Sequence, residues 1–200
     1  MKIIFLCLIL THNCLAQPRI EKLNTKSLPK TIHYKNNLIH AVRWKDNSGD
    51  NIVVLSSTLK TAYKKTDPTD DSFLDAELHA EHYIVLADSI KKSWHIDEIG
   101  PCPFDFYLYF IDKAFAVTDL NHDGNAEVWI MYQAGCGSNI VPTNIIMYEK
   151  GKKYILVGKR KVSSTEYDKG TYTLDDNFKS SSPEFREYAE KLWMQVKIEK

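Results

Sequence analysis

The chain has 200 residues, with 26 lysines and arginines against 26 aspartates and glutamates, so its formal net charge is zero. The charges are well mixed and form no basic stripe, which leaves no electrostatic basis for binding nucleic acid or an anionic membrane. A chain of this length, 44% hydrophobic, suits one domain with an ordinary core.

Residues 1–16 read as a secretory signal rather than as part of the fold. Lys2 supplies the positive start, and Ile3–Leu10 is an apolar run too short to cross a bilayer as a helix. Cys14 and Ala16 place small residues three before and one before a cut at Gln17. Cys14 could also suggest a lipoprotein anchor, but Thr11-His12-Asn13 before it is too polar for that signal. No later apolar run is long enough for a transmembrane helix. The expected location is therefore periplasmic or extracellular. Removing the first 16 of 200 residues leaves 184. Cys7 and Cys14 leave with the signal, and Cys102 and Cys136 remain as an even pair in an oxidising compartment. A structural disulfide between them is expected, stabilising by roughly 3–4 kcal/mol in the chain-entropy model.

Residues 17–37, polar and basic with Pro18 and Pro29, read as a loose lead-in to a single β-rich domain over 38–200. Leu38–Asp46 alternates, with Leu38, His40, Val42 and Trp44 on one face. Asn47-Ser48-Gly49-Asp50 is a turn cluster and Asn51–Leu59 is β-rich, so the two runs predict a hairpin. Lys64–Ser72 reads as a loop. The segment 75–94 is open to two readings. Ala76–Glu81 has helix propensity, yet Leu78, Ala80, His82 and Ile84 alternate with Glu77, His79, Glu81 and Tyr83, and the period of two favours a second hairpin.

Further strands are expected at Phe104–Ile111, Ala114–Thr118, Val128–Gln133, Asn144–Glu149, Tyr154–Lys159 and Tyr172–Leu174, in an antiparallel meander. Ser182-Pro183-Glu184 starts a helix over 183–197, with Phe185, Ala189, Leu192 and Val196 at helical spacing and Tyr188 beside them. The fold class is thus β-dominated α+β, antiparallel hairpins with one C-terminal amphipathic helix. No internal repeat is visible, which argues against a propeller.

The most informative stretch is Asp119-Leu120-Asn121-His122-Asp123-Gly124-Asn125-Ala126-Glu127. Oxygen-bearing side chains recur at alternate positions, and a glycine stands sixth, where a loop around an ion turns sharply. The twelfth position is Ile130, which cannot ligate, and the flanks read as strands, so this is no helix–loop–helix site. The expected ligands are the side chains of Asp119, Asn121, Asp123 and Glu127 with the carbonyl of Asn125, and the expected ion is a structural Ca2+. The alternative is a plain polar turn held by local Asn and Asp hydrogen bonds.

Other candidates are weaker. His79 and His82, near Glu77, would share a face on a helix and could ligate zinc, but on a strand they point apart. Gly135-Cys136-Gly137-Ser138 could pass for a nucleophile turn, yet Cys136 has a disulfide partner in Cys102, and Ser138 lacks a flanking pattern and a base. Trp44, Trp94 and Trp129 could line a sugar-binding face, or be core.

Three blocks occur in order: Arg43-Trp44-Lys45-Asp46-Asn47 with Gly49-Asp50-Asn51-Ile52, then Cys102-Pro103-Phe104-Asp105, then Thr118–Trp129 around the Asp-rich loop. Together they resemble a family of exported Bacteroidota proteins that carries the label "surface polysaccharide biosynthesis protein". The resemblance covers roughly Ala41 to Gly158. It implies a cell-envelope role, with an envelope glycan or envelope protein as partner, and supplies no catalytic residues. The expected function is non-enzymatic support of surface polysaccharide assembly or display. The alternative is a secreted glycan-modifying hydrolase working through carboxylates such as Asp97, Glu98 or Asp105.

Overall fold

Two antiparallel sheets pack face to face, as the alternating strands require. The computed structural model describes residues 17–59, 74–102, 106–137, 140–161 and 169–195. The signal segment and the 64–72 loop lie outside the described residues. The first sheet takes β1 (Glu21–Lys22), β2 (Asn37–Asp46), β3 (Gly49–Leu59), β4 (Leu74–Val85) and β5 (Ile90–Cys102) in chain order. The second comprises β6 (Phe106–Phe110), β7 (Ala116–Thr118), β8 (Glu127–Cys136), β9 (Ile140–Glu149), β10 (Lys152–Lys161) and β11 (Thr171–Leu174), in the order β11-β10-β9-β8-β6, with β7 also on β8. A four-residue helix, α1 (Asp176–Lys179), and a longer one, α2 (Pro183–Gln195), close the chain.

Each layer follows from period-two or period-3.6 patterning. Val42, Trp44, Val53, Leu55, Leu78, Ala80, Trp94 and Ile96 of the first sheet meet Leu108, Phe110, Val128, Ile130, Tyr132, Ile146 and Tyr148 of the second in the central core. The other face of the second sheet, with Trp129, Met131, Ile145, Met147 and Leu156, is covered by Phe178 of α1 and by Phe185, Ala189, Leu192 and Trp193 of α2. Fully burying a large apolar side chain contributes about 1.5–3 kcal/mol, so this helix face anchors α2 firmly. Its start at Pro183 agrees with the sequence; Val196 lies outside the described residues. Asp175 caps α1 by accepting from the Phe178 amide at 2.8 Å, a short element the sequence reading passed over.

The 75–94 segment is a hairpin, β4–β5. His79 pairs with Ser56 and Asp97 on the outer face, while His82 pairs with Val53 and Trp94 facing the core. Helix propensity in Ala76–Glu81 yields to the pairing of both its neighbours and to burial of the Leu78–Ala80–His82 face. One expectation fails: residues 17–37 are not loose. Glu21 and Lys22 pair with Arg43 and Val42, and Leu28 and Ile32 are buried on the first sheet's outer face against Ala41, Ile52, Val54 and Tyr83. That face carries apolar residues on β3 and must be covered; the two buried lead-in side chains are too sparse to show a period.

Among the described residues no helix is long and apolar enough to cross a membrane.

Candidate functional site

The Asp-rich stretch is the loop of the β7–β8 hairpin, with Thr118 paired to Glu127 across its base. Its side chains turn inward onto the loop's own amides. The Asp119 carboxylate accepts from the Asp123 and Gly124 amides, each at 3.1 Å. Asn121 Oδ1 accepts from the Asp123 amide at 3.2 Å, and Asp123 Oδ1 from the Asn125 amide at 2.8 Å. His122 and Gly124 both take positive φ, 57° and 78°. Gly124 is needed twice over, since a Cβ there would also stand 2.3 Å from Asn47 Nδ2.

Two of the expected ligands lie deep. Glu127 is fully buried and Asp119 nearly so. Glu127 accepts from Thr118 Oγ1 at 2.7 Å and from the Leu120 amide at 3.0 Å. Burial, with smaller contributions from Glu149 and Asp119, pushes its carboxyl up to about 7 against those two hydrogen bonds. Among the described residues no lysine or arginine reaches it. Asp123 is the opposite case. Burial opposes its ionisation, but the Lys150 ammonium on Oδ2 and the Asn125 side chain and amide hold it down at about 2.

Glu149 and Lys150, at the β9–β10 turn, also meet the loop; the sequence marks Glu149 only as the end of a strand. Glu149 Oε1 accepts from Asn121 Nδ2 at 2.9 Å and lies 4.0 Å from Lys150 Nζ. Asn125 contributes its side chain to Ser48, whose hydroxyl donates to Asn125 Oδ1 at 2.8 Å. Among the described residues no three His, Cys, Asp or Glu groups are placed to share one ion. The loop's side-chain oxygens are of the hard-donor kind that calcium takes; Glu127, buried and pushed up to about 7, would be drawn to its ionised form only by a cation beside it, and Lys150 occupies Asp123 Oδ2.

The loop is joined to the β2–β3 turn through Asp46. Its carboxylate accepts from Trp44 Nε1 (2.8 Å), the Ser48 amide (2.8 Å), Asn51 Nδ2 (3.1 Å) and the Ala126 amide (3.0 Å). Asn47 adds a donor to the Asp123 carbonyl at 3.0 Å. Gln17 closes the far side, donating to the Asp119 carbonyl and accepting from its amide.

The weaker candidates separate. Both ring nitrogens of His79 face carboxylates, Nδ1 on Asp97 at 2.5 Å and Nε2 on Glu77 at 3.0 Å, which leaves neither free for a metal. The hydrogen bond from His79, with Lys35 helping, holds the Glu77 carboxyl below its ordinary range. Asp97 lies on the outer face of β5, whereas Glu98 points inward and accepts from Tyr132 Oη at 2.5 Å. Asp105 and Ser138 lie outside the described residues. Cys136 is disulfide-bonded; the Cys102 side chain, and with it the expected pairing, lies outside the described residues.

Of the tryptophans, Trp129 is buried under α2 beside Phe178, Phe185 and Tyr188. Trp44 and Trp94 instead belong to one column of rings in the central core. Trp44 stacks on His82 (centroids 5.7 Å), His82 on Trp94 (5.2 Å), and Trp94 on Tyr148 of the opposite sheet (4.0 Å).

Comparison with family models, with curated proteins and with solved structures finds no match to this chain.

Proposed function

We propose that the chain is an exported cell-envelope protein whose β7–β8 loop is stabilised by calcium, and that it supports surface polysaccharide assembly or display without catalysing a reaction. The observation that carries the calcium reading is Glu127: a fully buried carboxylate, beside Asp119 and Glu149, with no Lys or Arg against it among the described residues. Asp119, Asn121, Asp123, Asn125 and Glu127 are the residues that would hold the ion. The ion would offset carboxylate repulsion and fix the loop that ties the β2–β3 and β9–β10 turns together. The envelope role rests on the signal-like start and on the three-block resemblance. The non-enzymatic reading is supported by the opposite orientation of Asp97 and Glu98, which cannot flank one bond as an acid and base pair.

The test is co-sedimentation of mature protein with the surface polysaccharide of the cells that make it, in calcium and in chelator. Retention in calcium, reduced in chelator, with the polysaccharide's chain length unchanged, is expected. Absence of retention in both, or shortening of the polysaccharide, would overturn this function.

A further inference from the structure

β5 stands at the edge of the first sheet. β4 pairs with one side of it, and among the described residues no strand pairs with the other. The strands at the other sheet ends are short: two residues in β1, five in β6 and four in β11. β5 has 13, and a long unpaired edge is a template for another strand.

Its ends are guarded and its middle is not. Lys91, Lys92 and a β-bulge protect one end; Ser93 is the extra residue, since His82 pairs with Trp94 and Tyr83 already with Lys92. Pro101 protects the other end. The stretch between, Trp94–Gly100, has no lysine, proline or bulge. Trp94 and Ile96 point into the core, as does Glu98 towards Tyr132, while His95, Asp97 and Ile99 are exposed on the outer face.

The charges of this stretch complement a second copy of itself. Residues directly opposite in an antiparallel pair share a face, so a two-fold axis through Ile96 sets His95 opposite Asp97 of the second copy, twice by symmetry. Asp97 Oδ1 is taken by His79 at 2.5 Å. Among the described residues its Oδ2 has only His95 of its own chain, at 3.6 Å, beyond hydrogen-bond reach. An imidazole N–H from the second copy fills that place. The same axis sets Lys92 against Gly100 and Lys91 against Pro101, so the guards fall outside a ladder over Trp94–Glu98. The neighbouring registers are worse. An axis through Asp97 or Glu98 sets like carboxylates face to face, and one through His95 runs into the bulge one residue either side of Trp94–Ile96.

We infer that two copies of this protein pair through β5, antiparallel about Ile96, with His95 of each on Asp97 of the other. Their first sheets then form one continuous sheet. A ladder this short buries well under ~1,200 Å², so the pair is weak and reversible.

Sedimentation equilibrium of the mature chain at pH 7, from about 1 µM to about 1 mM, should show a monomer–dimer equilibrium with Kd about 0.1 mM. His95→Arg should tighten it by about threefold to tenfold and His95→Glu should weaken it by about as much, since each change acts twice across the axis. Opposite shifts from one exposed position separate charge pairing from a general disturbance of the strand. Oxidising a mixture of His95→Cys and Asp97→Cys chains reads the register. Directly opposite residues stand about 4.5–5.5 Å apart at Cα, within disulfide reach, whereas 95 and 95 lie about 7–8 Å apart on the diagonal. The mixture should give a covalent heterodimer, and neither variant alone a homodimer. Asp97→Cys also removes the His79 partner; if it does not fold, Ser93→Cys mixed with Ile99→Cys, both exposed positions, tests the same register. A monomer at every concentration, a dimer that His95→Arg and His95→Glu leave unchanged or shift in one direction, or cross-linking of 95 to 95 in place of 95 to 97 would each overturn the inference.

Discussion

Replacing Asp46 by alanine should be among the most damaging single changes at the loop end of the molecule. Its carboxylate gathers four N–H donors from both sheets' connections. Ser48 is exposed, so its amide can turn to water. The donors on Trp44, Asn51 and Ala126 belong to buried residues and would lose their acceptor. At about 1–1.5 kcal/mol for each orphaned buried donor, the loss is about 3–4 kcal/mol. In a domain of this size that lowers the melting temperature by about 6–15 °C. Asp46→Asn retains one acceptor oxygen but turns an amide donor towards other donors, so it should recover less than half. Urea unfolding at pH 7, followed by tryptophan fluorescence, measures both. A loss under 1 kcal/mol for Asp46→Ala would refute the argument that this carboxylate ties the β2–β3 turn to the Asp-rich loop.

His82 gives a pH dependence of defined sign. Burial depresses its folded pKa to about 4 from the ordinary 6.5, with the Asp46 charge opposing. The unfolded chain therefore binds the proton first, and the stability present above about 6.5 is lost as pH falls towards 4, by about 3 kcal/mol over the window. Urea unfolding at pH 7 and 4.5 should show a smaller drop for His82→Phe than for wild type; equal drops would contradict this. Gly124→Ala combines positive φ with a clash on Asn47, and should cost about 1–3 kcal/mol by thermal melting, whereas an unchanged melt would disprove the loop geometry. Mature exported protein should show no free thiol under denaturing conditions, and stoichiometric labelling of Cys102 and Cys136 would reopen Cys136 as a nucleophile.

Strands and their faces were legible because alternation is a local signal. Leu78, Ala80 and His82 announced their inward face, and that periodicity outweighed the helix propensity of Ala76–Glu81. The Asp-rich hairpin loop was legible because its ligand-type side chains are contiguous. The rest of the site was not. Asp46, Ser48, Glu149 and Lys150 meet the loop only because two other turns fold to the same end of the sandwich, and each reads as ordinary turn chemistry in sequence. The ring column was hidden for the same reason: Trp44, His82, Trp94 and Tyr148 come from four strands in two sheets. Leu28 and Ile32 were missed because two buried residues in a polar, proline-bearing segment make no period.

Calorimetry in chelator and in ~1 mM calcium tests the central claim most directly. With a dissociation constant near 0.1 mM, as extracellular calcium modules show, native-state binding adds about 1.4 kcal/mol and raises the melting temperature by about 3–6 °C. Asp123→Ala should remove that gain. A wild-type melt identical in chelator and in calcium would contradict the calcium reading and leave the β7–β8 loop a polar turn held by its own amides and Lys150.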